Sequence, residues 1–292
     1  MKINPQPIFI MGTQRSGTTL LTRILSSHHD VFIQNEINIA QVFKNTPSRE
    51  LILERITNNI TATAHLSIND FLNQKNKSMW GVKDPQFTEH IESLKQFLPD
   101  YKFIIIVRDA RAVVNSYINN KWGLGTNAYT GALRWLKEVK QQKTFMASSA
   151  NNFLLIRYED LVSNLEVELI KVCKHLNISF DPNMLLYYKT KANYQQNKSN
   201  IHTNEKPNID FTKKWLQQLT SKQISIIEYV AGDELKANNY LLTGDIIVPF
   251  KWEKFYYKIH QTILGEIQIQ YQLKKYWCKT KLKQFFSKKT HD

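Results

Sequence analysis

Cysteine is nearly absent, with only Cys173 and Cys278 in a chain of 292 residues. The two are far apart and in no metal-ligand spacing, which gives no support to a disulfide framework or a zinc site and favours a reducing compartment. The eight histidines are scattered except for His28-His29, and adjacent residues on a helix do not face the same point. No bound metal is expected. Long apolar runs are also missing: bursts such as Phe103 to Val107 have the length of strands, far short of the roughly 20 residues that cross a bilayer. The start, MKINPQPIFIMG, has one basic residue and two prolines before a short apolar run, the pattern of a buried strand rather than a signal peptide. The expectation is a cytoplasmic protein.

Acidic residues are in deficit, 25 against 39 Lys and Arg, for a formal charge of +14. Half of that excess sits in residues 251 to 292, where ten lysines face only Glu253, Glu266 and Asp292. A net positive charge favours anionic ligands of any kind and by itself selects none. Nucleic acid is not expected as a partner.

What the chain does have is enough apolar content, 42% of residues, for one large α/β domain or two small ones. Ile8 to Met11 is an apolar burst ending in a glycine loop. Leu20, Leu21, Ile24 and Leu25 then share one helical face between Thr18 and Ser27. Strand candidates recur at Met79 to Lys83, Phe103 to Val107 and Asn152 to Arg157, with a further short strand before Glu36. Helices are expected over Phe87 to Leu98, Ala110 to Asn119, Asn127 to Ser149, Asn164 to Leu176, Phe211 to Leu219 and Ser221 to Leu235. Short apolar strands alternating with helices predict an α/β fold of three layers, a mostly parallel central sheet between helices. The stretch from Glu36 to Lys77 has little strand character. Lys189 to Asp210 is too polar for core and is expected to form a mobile loop or lid. Residues 1 to 250 are assigned to the main domain and 251 to 292 to a basic, aromatic-rich helical extension. That extension suits either packing on the domain or a partner subunit, or attachment to an anionic membrane surface.

The loop GTQRSGTT, Gly12 to Thr19, has the spacing of a P-loop, but Thr18 stands where that pattern has lysine. A glycine-rich turn from strand into helix presents backbone N–H groups at the positive end of the helix dipole, which suits a tetrahedral anion. Arg15 supplies a cation with a fork of donors. The loop is expected to bind an anion, with Gln14, Arg15, Ser16, Gly17, Thr18 and Thr19 as contacts, and a magnesium triphosphate becomes less suitable.

PIFIMGTQRSGTTLL resembles the 5′-phosphosulfate loop of sulfotransferases that use 3′-phosphoadenosine 5′-phosphosulfate (PAPS). FIIIVRDARAVVNSY, Phe103 to Tyr117, resembles that family's 3′-phosphate motif, with Arg108 and Ser116 at the matching positions. WGVKDP (Trp80 to Pro85), IRYEDLV (Ile156 to Val162) and EKPNIDFTKKW (Glu205 to Trp215) are further matches, the last to the tyrosylprotein and related branches. The resemblance covers roughly residues 5 to 220 and implies a P-loop nucleotide-hydrolase-like fold and PAPS as donor, with no metal. It also implies in-line sulfuryl transfer to an acceptor hydroxyl or amine. Arg108 and Ser116 would hold the 3′-phosphate. Lys83 and Arg15 would carry charge near the leaving oxygen. Glu36 stands where the tyrosylprotein branch has its catalytic glutamate, and Asp84 is the alternative base. Lys206 would close over the phosphates and His202 would line the lid. The acceptor stays open among polysaccharide, peptide, lipid and small metabolite.

Asp109, at the end of an apolar strand, imitates a Walker-B aspartate and keeps a P-loop kinase as the runner-up. A nucleotide-binding protein without catalysis is the other alternative. His28 and His29 read as helix-end residues, and Tyr158, Glu159 and Asp160 as a helix start.

Overall fold

A computed structural model describes residues 6–45, 48–62, 64–148, 152–190, 201–244 and 246–289, the side chains of 201, 202 and 279–289 excepted. The residues group into two compact units, Met1–Arg108 with Lys137–Thr212, and Asp109–Leu136 with Lys213–Asp292.

The first unit is built on five parallel strands, β1 (Ile8–Gly12), β2 (Val31–Asn35), β3 (Met79–Lys83), β4 (Lys102–Val107) and β5 (Phe153–Arg157), in the order β2-β3-β1-β4-β5. The register aligns Ile8 with Gly81 and with Lys102, so β1 is central and its carboxyl end opens between β3 and β4. Alternation along β1 divides the core. Phe9 and Met11 face one cluster with Trp80, Val82, Phe103 and Ile105, while Ile8 and Ile10 face the other with Val31, Ile33, Ile104 and Ile106. Helices cover both clusters, which is the expected three-layer α/β arrangement.

On the second of these faces lie α1 (Thr18–Leu25), α8 (Tyr158–Ser163) and α9 (Leu165–Leu176). On the first lie α2 (Ile39–Val42), α3 (Arg49–Thr61), α4 (Ile68–Gln74), α5 (Ile91–Phe97) and the end of α7 (Ala128–Met146). Local chemistry sets their starts: the Ser48 and Ser67 hydroxyls accept from the N–H groups of Leu51 and Asp70. The helix expected over Phe87 to Leu98 is instead a 3-10 turn, Pro85–His90, followed by α5. Asp84 caps that turn and Pro85 starts it early, and His90 at φ −118° breaks the two apart.

The second unit contains α6 (Ala110–Asn120), the start of α7, α10 in part (Asp210–Lys213), α11 (Trp215–Gln218), α12 (Ser221–Ala237) and α13 (Lys251–Lys289). The helix expected over Phe211 to Leu219 is two short pieces that meet at Lys214, and the second ends where Leu219 turns extended before the Thr220–Gln223 capping box that opens α12. The basic tail is one continuous helix over Lys251–Lys289. At the centre of this unit the buried Arg111 guanidinium bridges Asp109 and Glu228, with N–O distances of 2.6 Å to each, and lies 4.1 Å from the Trp215 ring centroid.

Candidate active site

The loop after β1 owes its shape to two glycines. A Cβ on Gly12 would lie 2.4 Å from the Ile106 carbonyl oxygen, and one on Gly17 would lie 2.3 Å from the Tyr158 ring. Gly17 is also left-handed, at φ 103°. Arg15 shares that region at φ 71°, unusual for a residue with a Cβ. The Ser16 N–H and hydroxyl both donate to the Thr13 carbonyl, at 3.1 and 2.7 Å, so Ser16 holds the turn together. No side chain caps α1, so the N–H groups of its first turn, Thr18 and Thr19 among them, remain donors at the positive end of the helix.

Lys83 ends β3, next to β1 in the sheet. Its side chain is fully buried, and its ammonium donates to Glu36 Oε1 at 2.7 Å and to the Thr19 hydroxyl at 3.4 Å. Glu36 follows the carboxyl end of β2, where φ turns to 57°. Its N–H donates to the Lys83 carbonyl at 2.7 Å, so the residue is fastened to β3 as it leaves the sheet. The Glu36 side chain is 58% exposed, in contrast to the partial burial a sheltered base would have.

Asp84, the alternative base, is buried and uses both oxygens: Oδ2 accepts from the Ile37 N–H at 3.2 Å and Oδ1 from the Gln86 N–H at 2.9 Å. Burial pushes its carboxyl up to about 6, and nearby Glu36 adds to this, while the two backbone donors and Lys83 oppose it. Its geometry ties the turn carrying Glu36 to the turn after Lys83.

Arg108 follows β4. Its guanidinium carbon lies 4.2 Å from the Tyr158 ring centroid, and it donates to the carbonyls of Arg15 at 3.3 Å and Phe211 at 3.0 Å. Arg15, Thr19, Lys83, Glu36 and Arg108 therefore converge at the carboxyl ends of the strands, where ligands bind in open α/β sheets. Ser116 belongs to α6 in the other unit, where its hydroxyl accepts from Asn120 at 2.8 Å. Lys206 is exposed, with its ammonium 5.7 Å from the Tyr188 ring centroid. Residues 191–200 of the expected lid and the side chain of His202 lie outside the described residues.

Tyr158 has a larger part than a helix start. It fills the space between Gly17 and Arg108, and the signal for it was an aromatic residue directly after a strand that pairs with β4. Asp109 goes the other way. Its carboxylate caps α6 through the Arg111 N–H at 2.8 Å and pairs with the Arg111 side chain, so it is committed to its own helix and not to a metal. His28, His29 and Asp181 bring ligand-type atoms within 4.8 Å of one another, at the amino ends of the strands. Both ring nitrogens of His28 are taken, Nδ1 by the Asp30 N–H and Nε2 by the Ser179 carbonyl, each at 3.0 Å. Burial would raise Asp181, but the N–H of Asn183 and both donors of His29 outweigh it and hold the carboxyl at about 2. The cluster fastens the end of α1 to the 3-10 turn Pro182–Lys189.

Residues 7–182 match the family model described as "Sulfotransferase family". Similar proteins include protein-tyrosine sulfotransferase A of Caenorhabditis elegans, 26% identical over 246 residues, covering 77% of this chain and 64% of that protein. Protein-tyrosine sulfotransferase 1 of Danio rerio is 27% identical over 194 residues, covering 61% of this chain and 55% of that protein. The chain thus spans somewhat over half the length of these two relatives. Among solved structures, the sulfotransferase domain from the curacin biosynthetic pathway superposes with a TM-score of 0.58 at 20% identity, covering 82% of this chain and all of that one. A mouse sulfotransferase solved in complex with PAP gives a TM-score of 0.51 at 13% identity, covering 82% and 87% of the two chains. These two structures share the fold.

Proposed function

Because the chain belongs to the sulfotransferase family, we propose that it transfers the sulfuryl group of PAPS to a hydroxyl of a peptide acceptor, in the first instance a tyrosine phenol. One observation carries this: the buried Lys83 ammonium sits 2.7 Å from the Glu36 carboxylate and 3.4 Å from the Thr19 hydroxyl of the glycine loop. A cation and a base are thereby held together beside an anion-binding turn. The fit to the donor rests on the uncapped start of α1 and on the left-handed turn at Gly17, packed against the Tyr158 ring, that leads into it.

In this reading the acceptor oxygen forms its bond to sulfur as the bond from sulfur to the donor's bridging oxygen breaks. The acceptor proton passes to Glu36, and negative charge grows on the departing oxygen. Lys83, Arg15 and the loop N–H groups stabilise that charge, each such donor being worth about 10²–10³ in rate. A positioned base contributes about 10²–10⁴. Arg108 is assigned to the 3′-phosphate, which gives selectivity for PAPS over ATP. Lys206 is assigned to the donor's phosphates on closure. The phenol is favoured because the relatives are named for protein tyrosine, and because its pKa of about 10 lies closer to the reach of a carboxylate than an aliphatic alcohol does.

The test is transfer from isotopically labelled PAPS to a panel holding a tyrosine peptide, its phenylalanine counterpart, a polysaccharide and a small alcohol. Label in the tyrosine peptide alone, independent of added magnesium, is the expected result. Label only in the polysaccharide would move the acceptor class. Transfer of phosphate from magnesium ATP, with none from PAPS, would replace the reading with a kinase.

A further inference from the structure

The long helix α13 carries its apolar stripe on the outside. Trp252, Phe255, Tyr256, Ile259, Ile263 and Ile267 recur at helical spacing and are 41–68% exposed. Their continuation through Leu273 makes a strip about 32 Å long at the usual rise per residue. The face turned to its own unit is mixed, with the Tyr257 ring centroid 5.9 Å from that of Tyr129, Leu264 half-buried and Ile269 beside Gly123, and glutamines supply several of its hydrogen bonds. Gln261 accepts from the Thr126 N–H at 2.8 Å and donates to the Gly123 carbonyl at 2.7 Å, and Gln268 accepts from the Gly123 N–H at 3.0 Å. A surface helix ordinarily buries its apolar face and wets its polar one. Here most of the large apolar side chains of the helix stay outside, with glutamines fixing the orientation.

We propose that this face of α13 lies in the interface of an anionic lipid membrane. Charge decides the occupant. The helix holds ten lysines against Glu253 and Glu266, and Glu253 is already paired with Lys222 at 2.8 Å and with the Phe250 N–H. A second copy of the helix would bring like charge against like charge, with a single exposed carboxylate on each to offset it, whereas complementary charges accompany helix pairing. An anionic lipid surface satisfies both features: lysines meet headgroups, while tryptophan, tyrosine and isoleucine enter the headgroup and acyl boundary. Among the described residues no helix is long and apolar enough to cross a membrane, so α13 lies in the plane of the surface. The proposal is independent of the assignment of the acceptor and of the donor.

The full chain is tested by flotation with phosphatidylcholine vesicles, with and without phosphatidylserine, together with Trp fluorescence quenching by brominated lipid. Binding is expected only with the anionic lipid and is expected to weaken in high salt. The double substitution I259E/I263E changes exposed side chains alone, and it is expected to lower the partition about 100-fold or more while thermal protection by adenosine 3′,5′-bisphosphate stays at the parent level. Absence of binding to anionic vesicles overturns the proposal, as does binding that the double substitution leaves intact, because charge alone would then explain it. A dimer in sedimentation that the same substitution dissociates overturns it in favour of a second copy.

Discussion

Replacing Glu36 with glutamine separates the chemical role of the carboxylate from its structural one. The Glu36–Lys83 pair is asymmetric: the ammonium is fully buried and the carboxylate 58% exposed. Coulomb attraction at an effective dielectric near 20 is worth about 4 kcal/mol at 4 Å, but water reaches one partner, so the net stabilisation falls well below that. Glutamine keeps an oxygen for the Lys83 ammonium and the backbone N–H that reaches the Lys83 carbonyl. The expected loss of stability is about 1–2 kcal/mol, which for a chain of this size lowers Tm by roughly 2–8 °C. Turnover should fall much further, by about 10²–10⁴, the contribution of a positioned base. Initial rates of sulfate transfer from labelled PAPS, with calorimetric binding of adenosine 3′,5′-bisphosphate alongside, measure the two effects on one preparation. Parent-like donor binding with collapsed turnover is the predicted outcome. Turnover within tenfold of the parent would refute the assignment of the base to Glu36.

Asp84 should make stability depend on pH. Its folded carboxyl is raised to about 6 from a reference of 3.8, so its contribution is fully present below the reference value and is lost as pH rises through about 6, a change of about 3 kcal/mol. Urea unfolding of the parent and of Asp84→Asn should show their stability difference shifting by roughly that amount between about pH 3.5 and pH 8, in favour of the variant at the higher pH; a constant difference would contradict the burial argument. Gly17→Ala forces a Cβ into the Tyr158 ring at a left-handed position. It should cost about 1–3 kcal/mol in urea unfolding and abolish thermal protection by the donor nucleotide; parent-like behaviour would show that the loop tolerates a side chain there. Arg108→Lys keeps the charge and loses the fork. Calorimetric affinity for adenosine 3′,5′-bisphosphate should fall about 10–100-fold, while that for adenosine 5′-phosphosulfate, which lacks the 3′-phosphate, should hardly change; equal losses for both would remove Arg108 from the 3′-phosphate.

Local pattern carried a large part of the fold and of the loop. Four of the five strands were legible as apolar bursts and the fifth as the short strand before Glu36: β1, β3 and β4 are buried almost throughout and need apolar residues on both faces, while the edge strand β5 showed through its apolar FLLI run. The glycines of the loop could be read from the P-loop spacing, although the groups packed against them, the Ile106 carbonyl and the Tyr158 ring, come from far along the chain. Helix starts and breaks were less legible: Pro85 and Asp84 make a 3-10 turn where periodicity alone predicted a continuous helix. Asp109 was misleading on its own, since the groups that occupy it and its neighbour Arg111 include Glu228, 117 residues further along the chain.

The sequence by itself determined that an anion-binding turn follows the first strand, that Lys83, Arg108 and Glu36 end or follow strands, and that the tail is amphipathic and basic. All of these depend on residues close together along the chain. Only the tertiary structure decided which of them meet. Sheet order β2-β3-β1 brings Lys83 to Glu36 across 47 residues, and the pairing of β4 with β5 puts Arg108 over Tyr158. The same holds for the tail, where helical periodicity defines two faces but cannot say which one turns outward. That was settled by the hydrogen bonds that Gln261 donates to the Gly123 carbonyl and Gln268 accepts from the Gly123 N–H, which leave the apolar stripe to the solvent side.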